Sequence, residues 1–383
     1  MRITFDAVPI CSDKITGIGW CEVGQTQALA ELYPGNRYEY SFFTSGDAER
    51  TKRVEKFAGK RIKLNTSGFS GYLYRAVSTF LPVPYSFFFG RKSDITHFFN
   101  YIVPPFVHGR KVVTVHDMVY KAFPETVRGR TRFMLEMGLK RSMKRADLIV
   151  TDSEFSKSEI IKYFPQHEKK IRVVPCGVDL ERFHPCSEPE RIPEVKKSLE
   201  IEGDYFLYLG TIEPRKNLER LITAYGAFVR KVGGSSPKLV LAGGKGWLDN
   251  GIYSRVEKLE LTGKVIFTKY VPSEDMNPLM CGALAFVFPS LYEGFGMPPL
   301  EAMACGVPVL TSGEASLPEV TGDCAVICDA YDAKSIAQGM YRLYSDSGLR
   351  RELGIKGMER AKNFTWKRSA EMLMDVYREL KNE

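Results

Sequence analysis

The sequence contains no long apolar run. No segment reaches the roughly eighteen consecutive apolar residues of a membrane-spanning helix, so no such helix is expected. The first six residues, Met-Arg-Ile-Thr-Phe-Asp, carry a charge within their apolar stretch and lack the layout of a signal peptide. They indicate a first β-strand instead.

Cysteine pairs of the kind that bind zinc are also missing. The eight cysteines include no Cys-x-x-Cys, and the closest two are Cys324 and Cys328. No His/Cys cluster suggests a metal, and a chain of 383 residues needs no disulfide framework to fold. We therefore expect reduced thiols in a cytoplasmic protein.

Motifs of the common nucleic-acid-binding folds are absent, although the net charge of +8 favours an anionic partner. The positive charge is concentrated in two clusters, residues 50–63 and residues 128–145. Charge runs of this kind are usually solvated faces. The functional alternative is an anionic membrane surface, or an acceptor that carries a lipid diphosphate.

The length of the chain favours two domains over one. The polar segment 186–202 contains two prolines and precedes a new apolar strand, so it marks the junction. We expect a first domain over residues 1–190 and a second over residues 200–365. Residues 366–383 carry the pattern of a terminal amphipathic helix.

Short apolar or β-branched runs predict strands in both halves, and several end in a glycine or polar turn. Segment 33–95 gives no clear prediction, except that residues 80–89, rich in proline and aromatic side chains, favour a buried connection over an interfacial anchor. Helices are expected from Trp20 to Leu32 and over the basic segment 128–145. The predicted strands cover residues 2–9, 94–103, 111–115, 146–151, 171–175, 205–211, 238–244, 265–271 and 283–288. This pattern favours an α/β fold.

One stretch, residues 289–301, lies between a buried strand and the start of a helix. Such strand-to-helix turns are where open α/β sheets bind ligands. Gly294 and Gly296 permit close backbone approach, and free N–H groups at the helix start favour anions. Glu293 and Glu301 flank the turn and could line one pocket. The alternative is that Glu301 only complements the helix dipole and Glu293 is solvated.

Three further groups lie in comparable positions. His116 follows the strand 111–115 at its carboxyl end, although a lone histidine is more often structural. Arg215 and Lys216 occupy a strand-to-helix turn, from which both could reach a phosphate. The turn before the first helix ends in Gly17-Ile-Gly19, a weak phosphate-binding signal for which a tight turn is the alternative.

These motifs together resemble a known family. Glu293-Gly-Phe-Gly-x4-Glu301 is similar to the E-x7-E motif of retaining glycosyltransferases of family 4. The resemblance continues in Glu-Pro-Arg-Lys-Asn217, Ala304-Cys-Gly-Val-Pro-Val309 and Ser316-Leu-Pro-Glu319. It implies the GT-B architecture: two Rossmann-like domains face each other across a cleft, and the terminal helix crosses back to the first domain. The first domain would serve the acceptor and the second the nucleotide-sugar donor.

The resemblance also implies roles for individual residues. Arg215 and Lys216 would neutralise the donor diphosphate, Glu301 would bind ribose, and Glu293 would hold sugar hydroxyls. His116 would contact the transferring sugar. The expected catalytic set is His116, Glu293, Arg215 and Lys216, and the further donor contacts are Gly17, Gly19, Gly210, Thr211, Tyr270, Val271, Gly294, Phe295, Gly296, Met297 and Glu301.

The reaction implied is transfer of a hexose or deoxyhexose to a saccharide or lipid-linked acceptor in cell-surface polysaccharide synthesis, with no nucleic acid involved. Residues 211–217 and Gly243-Gly-x-Gly-Trp247 are most similar to bacterial mannosyl- and rhamnosyltransferases, which favours GDP-mannose as donor. The sequence has no Asp-x-Asp, so we expect a metal-independent site with no cofactor beyond the donor. The alternatives are a sugar-nucleotide 2-epimerase and a non-catalytic nucleotide-sugar binding protein. The expected location is cytoplasmic, on the inner face of the membrane.

Overall fold

A computed structural model describes residues 1–244 and 250–382. The chain forms two compact α/β units, of which the first comprises Met1–Gly177 with the segment that begins at Thr365, and the second comprises Val178–Phe364. Gly246 and Trp247, which contributed to the donor prediction, lie outside the described residues. Within the described ranges, no helix is long and apolar enough to cross a membrane.

The first unit ends at Gly177, earlier in the chain than the expected boundary at residue 190. Residues that follow Gly177 bond to the second unit. The backbone N–H of His184 donates to Asn277 Oδ1 at 3.3 Å, and Arg191 forms an ion pair with Asp275 at 3.0 Å. Proline content indicated a linker, but these long-range bonds place the segment inside the second unit.

Seven strands form the sheet of the first unit. They are β1 (Arg2–Asp6), β2 (Arg37–Phe43), β3 (Ile62–Ser67), β4 (Ile95–Phe98), β5 (Arg110–Thr114), β6 (Leu148–Thr151) and β7 (Ile171–Val173). All pair in parallel, in the order β3-β2-β1-β4-β5-β6-β7. Every residue of β4 and β6 is buried, as a parallel sheet covered on both faces requires.

Eight helices surround this sheet in the described part of the unit. They are α1 (Gly17–Leu32), α2 (Ala48–Ala58), α3 (Gly71–Phe80), α4 (Tyr85–Phe89), α5 (Val119–Ala122), α6 (Gly129–Arg145), α7 (Glu154–Tyr163) and the terminal α16 (Trp366–Asn382). Gln25 of α1 donates to Ser369 of α16 at 2.9 Å, and the hydroxyl of Tyr377 lies 2.7 Å from His97 Nδ1. These buried bonds confirm that the terminal helix packs on the first domain.

The second unit contains a six-stranded parallel sheet. Its strands are β8 (Tyr205–Leu209), β9 (Lys238–Ala242), β10 (Val265–Lys269), β11 (Ala285–Phe288), β12 (Val309–Ser312) and β13 (Ala325–Cys328), in the order β10-β9-β8-β11-β12-β13. Its described helices are α8 (Arg191–Ser198), α9 (Leu218–Val232), α10 (Asn250–Lys258), α11 (Met276–Cys281), α12 (Met297–Ala304), α13 (Leu317–Thr321), α14 (Ala333–Ser345) and α15 (Ser347–Ala361). The order in which successive strands are added changes side at β1 in the first sheet and at β8 in the second. Ligands of open α/β sheets bind at the carboxyl ends of the strands beside such a point.

Two local predictions require correction. Helix α1 begins at Gly17 rather than near Trp20, because Thr16 is extended and acts as the N-cap. Gly17 and Gly19 therefore belong to the first helical turn and not to a loop. Segment 80–89 was expected to be buried, yet Phe87 is 82% exposed while Tyr85 is buried.

Candidate functional site

The turn between β11 and α12 is rigidly held. Gly296 has a φ of +107°, a conformation that side chains with a Cβ rarely adopt, and α12 starts directly after it. A Cβ on Gly296 would lie 2.8 Å from Leu317 Cδ2. The hydroxyl of Ser316 donates to the carbonyl oxygens of Glu293 and Phe295, both at 2.9 Å. The turn thus presents the Glu293 side chain in one orientation.

Glu293 is buried and receives three side-chain hydrogen bonds. Lys216 Nζ donates to Oε1 at 2.6 Å, Arg215 donates to Oε2 at 2.8 Å, and Ser290 Oγ donates to Oε1 at 2.7 Å. Burial alone would raise the pKa of Glu293, but the charges of Arg215 and Lys216 outweigh it and lower the pKa to about 2. Glu293 is therefore ionised at neutral pH.

The two cations of this cluster occupy the turn between β8 and α9. Lys216 is buried over the ring of Phe288. Burial, and next the charge of the neighbouring Arg215, lower the pKa of Lys216, although the Glu293 carboxylate acts to raise it. Arg215 forms a second ion pair with Glu213 at 2.7 Å. Asn217 has a left-handed backbone and is the N-cap of α9, so the helix begins immediately after the cations.

Glu301, by contrast, makes no side-chain hydrogen bond to any residue that the structure describes. It lies partly buried, one residue beyond the first turn of α12. Burial raises the pKa of Glu301 to about 7, with Arg182 lowering it and Asp179 raising it. The two carboxylates of the motif thus differ: Glu293 is bonded to cations, and Glu301 is available to a ligand.

His116 is buried in the first unit, just beyond β5. Its Nδ1 lies 2.7 Å from Asp152 Oδ2 and its Nε2 lies 2.8 Å from the carbonyl oxygen of Phe99. Because both partners are acceptors, both ring nitrogens donate. Burial alone would lower the pKa of His116, but the Asp152 carboxylate raises it to about 10. The imidazole is therefore charged at neutral pH.

A group of metal-binding residue types surrounds this histidine. Ligand atoms of Cys21, His116 and Asp152 lie within 4.8 Å of one another, and Cys176 Sγ is 3.3 Å from Cys21 Sγ. All the cysteines are free thiols. The bonds from His116 to Asp152 and Phe99 already use both of its nitrogens.

The remaining predicted residues lie at the carboxyl edges of the sheets. The start of α1 exposes Gly17 and buries Gly19. Gly210 lies beside Gly243, and a Cβ added to Gly243 would lie 2.0 Å from the carbonyl oxygen of Gly210. Thr211 and Tyr270 are exposed. The other predicted donor contacts are Val271, Gly294, Phe295 and Gly296, which are buried, and Met297, which is half-buried.

The structure brings Arg215, Lys216 and Glu293 into one bonded cluster, with Glu301 on the following helix. The sequence reasoning missed Glu213, Ser290 and Asp152, which complete the bonds of these residues. Asp152 was detectable, because it follows β6 as His116 follows β5, and these strands are paired neighbours. Their carboxyl ends must therefore be adjacent.

Comparisons with known proteins show which family the chain belongs to. A family model described as "Glycosyl transferases group 1" matches residues 191–360, and one described as "Glycosyltransferase Family 4" matches residues 25–182. O-antigen chain mannosyltransferase B of Escherichia coli is 37% identical over 290 residues, which cover 75% of this chain and 74% of that protein. Serotype-specific mannosyltransferase WbdA of Escherichia coli is 29% identical over 71% of this chain, which spans only 34% of that protein.

Among solved structures, HepE from Anabaena in complex with UDP and glucose has a TM-score of 0.76 at 16% identity, covering 99% of this chain and 100% of that chain. The fold is therefore the GT-B architecture of glycosyltransferases. The chain belongs to the group 1 glycosyltransferases, with a family 4 domain in its first unit. It is an enzyme that uses a nucleotide-sugar donor and a sugar acceptor.

Proposed function

We propose that the enzyme transfers mannose from GDP-mannose to a saccharide or lipid-linked acceptor during synthesis of a cell-surface polysaccharide such as lipopolysaccharide. Two relatives named as mannosyltransferases support the sugar. The bonded cluster of Arg215, Lys216 and Glu293 carries the mechanistic part of the proposal. The relatives reported are transferases, and none supports the alternatives of an epimerase or a non-catalytic binder.

Arg215 and Lys216 are proposed to stabilise the diphosphate leaving group. Negative charge develops on that group as the bond to the sugar breaks, and fixed cations stabilise it best when little water is present. Lys216 is buried and its only described ion pair is with Glu293. A diphosphate that approaches these cations therefore meets donors that are already oriented.

The two carboxylates are proposed to bind different parts of the donor. Glu301 accepts hydrogen bonds from ribose hydroxyls, because its carboxylate has no hydrogen-bond donor within residues 1–244 and 250–382. Glu293 holds the cations and accepts a sugar hydroxyl through its remaining lone pairs. Backbone groups of Gly294, Phe295, Gly296 and Met297, together with Gly210, Thr211, Tyr270 and Val271, complete the proposed donor contacts.

The first unit is proposed to contribute His116 and the start of α1. The assignment of His116 to the transferring sugar, and of Gly17 and Gly19 to the donor, rests on the family resemblance. Both ring nitrogens of His116 are bonded to Asp152 and Phe99, so the support from the structure is limited to its position just beyond β5. Retention of anomeric configuration and independence of metal ions are further parts of the proposal.

The test is a donor screen followed by product analysis. GDP-mannose should raise the unfolding temperature more than other nucleotide sugars, since a bound ligand stabilises the folded state. Incubation with an acceptor should give an α-linked product by NMR. Conversion of the donor without any acceptor would instead support an epimerase, and stabilisation without turnover on any acceptor would support a binding protein.

We also propose that the enzyme works at the inner face of a membrane, where a lipid-linked acceptor is anchored. The net charge of +8 supports contact with anionic headgroups. Either basic cluster, residues 50–63 or residues 128–145, could supply this contact on charge alone.

A further inference from the structure

Helix α6 exposes an apolar and basic face. Phe133 is 59% exposed, and Met134 and Met137 are exposed beside it. Lys140 and Lys144 are exposed on the next two turns. Since residues three, four and seven apart share one side of a helix, these five side chains project from the same face. Apolar groups flanked by lysines on one face are typical of helices that lie in a membrane interface.

A second apolar set adjoins this face. Tyr72 and Leu73 of α3 are exposed, and the Arg130 guanidinium of α6 lies 4.9 Å from the centre of the Tyr72 ring. That contact joins the first turns of α3 and α6. The combined region, defined by the exposed residues of α3, α4 and α6 and by Phe106, is called here the α3–α6 surface.

Helix α4 packs against α3, where the ring centres of Tyr74 and Phe88 lie 5.2 Å apart, so α4 and Phe106 extend the same surface. Phe87 of α4 is 82% exposed and Phe106 is 64% exposed. The Tyr85 N–H of α4 donates to the Pro105 oxygen at 3.1 Å, which holds the loop of Phe106 against α4. All nine large apolar side chains that are exposed in the described first unit lie between residues 69 and 137. Their concentration in one region is more than scattered surface hydrophobics explain.

The charge of this surface is positive. Helix α6 contains six lysines and arginines and one acid, Glu136, which pairs with Lys121 at 2.6 Å. Segment 69–92 contains three basic residues and no acid. The other basic cluster differs, because within residues 50–63 no large apolar side chain is exposed. Lys52 there pairs with Glu49 at 2.7 Å.

We infer that the α3–α6 surface lies on an anionic lipid bilayer, and that the cluster 50–63 does not. The apolar side chains enter the headgroup region, and the lysines remain at the level of the lipid phosphates. The inference rests on the proposed function, which supplies the reason why the enzyme contacts a membrane. It goes further by assigning that contact to one face and by requiring both apolar insertion and charge.

The experiment is co-sedimentation of the full chain with vesicles, at physiological salt and without donor or acceptor. One set of vesicles is phosphatidylcholine alone, and the other contains about a third phosphatidylglycerol. The test variants are Phe133→Ser with Met137→Ser, and Lys140→Gln with Lys144→Gln. The matched control, Lys56→Gln with Lys60→Gln, removes the same charge from exposed positions of the other cluster.

The wild-type chain should bind the anionic vesicles and not the neutral ones. Each test variant should lose on the order of tenfold in partitioning, and the control should change by less than twofold. Equal loss in the control, equal binding to neutral vesicles, or no binding at all would overturn the inference. So would a wild-type dimer that Phe133→Ser with Met137→Ser dissociates, because the face would then be an interface between copies.

Thermal stabilisation by GDP-mannose is measured on the same preparations. Unchanged stabilisation in the α6 variants shows that they are folded and that their donor site is intact. A variant that loses vesicle binding but keeps normal donor binding is impaired only at the α3–α6 surface. If the wild type does not bind GDP-mannose, the proposed donor is wrong, but the vesicle result is unaffected.

Discussion

Lys216 Nζ lies 2.6 Å from Glu293 Oε1, although the two residues are 77 positions apart in the chain. Both side chains are buried, so neither charge is compensated by bulk water. The pair connects the turn after β8 to the turn after β11, which are neighbouring strands of the second sheet. It therefore fixes the relative position of the cations and the turn that begins α12.

Glu293→Ala should destabilise the protein by about 3 kcal/mol, because it leaves Lys216 buried without its carboxylate. Urea unfolding at pH 7 measures this loss. The double variant Lys216→Met with Glu293→Gln should recover most of the stability, since it removes the isolated charge. A double variant as unstable as Glu293→Ala would show that the pair does not account for the effect.

Arg215→Ala should weaken binding of the nucleoside diphosphate by roughly 1.5–3 kcal/mol, the range for hydrogen bonds to charged groups. Calorimetry with GDP gives the affinity. Lys238→Ala is the matched control, because Lys238 begins β9 and so lies at the opposite edge of the same sheet. Equal affinities in wild type and Arg215→Ala would remove Arg215 from the donor site.

Glu301 should make donor binding depend on pH near neutrality. Its pKa is raised to about 7, and only the ionised carboxylate is a full acceptor for ribose hydroxyls. Affinity for GDP should therefore rise as the pH increases from 6 to 8. Glu301→Gln should bind more weakly and without this step. The same raised pKa means that ionisation of Glu301 lowers the stability of the free protein as pH rises from about 4.5 to 7.

The bond between His116 and Asp152 should stabilise the fold up to alkaline pH. The pKa of His116 is raised from 6.5 to about 10, so its contribution is complete below pH 6.5 and is lost as pH rises through 10. Asp152→Asn should therefore be less stable than wild type at pH 6, with a smaller difference at pH 10. NMR should show a charged His116 ring at pH 8 in the wild type; a neutral ring there would contradict the assignment.

Turnover should survive chelation, because Arg215 and Lys216 are proposed to carry the leaving-group charge. The assay compares initial rates before and after EDTA treatment and measures metal content of the same samples. Loss of activity that Mn²⁺ or Mg²⁺ restores would contradict the proposed mechanism. Bound metal that disappears in Cys21→Ser would instead indicate that Cys21, His116 and Asp152 hold an ion.

Much of the fold follows from local patterns. The apolar run of β8 and the β-branched residues of β5 predict strands, and both are present. Strand β2 was missed, although its alternating tyrosines and buried phenylalanines carry the signal. Strand β3 is mostly polar and half-buried, so its sequence resembles that of a loop. Pairing with β2 provides the missing stabilisation, and such long-range pairing leaves no trace in local sequence.

The sequence by itself determined the turn that ends in α12, because glycines and prolines at fixed positions specify it, and it identified Arg215, Lys216, Glu293 and Glu301 as candidate site residues. Only the tertiary structure decided how their charges are arranged. It paired Glu293 with two cations, left the Glu301 carboxylate without a hydrogen bond in the described chain, and placed Asp152 against His116. It also distinguished the basic clusters 50–63 and 128–145, which match each other in their numbers of basic and of acidic residues but differ in their exposed apolar side chains. The physical reason is that ionisation and exposure depend on neighbours from distant segments, and these meet only after the strands have assembled into sheets.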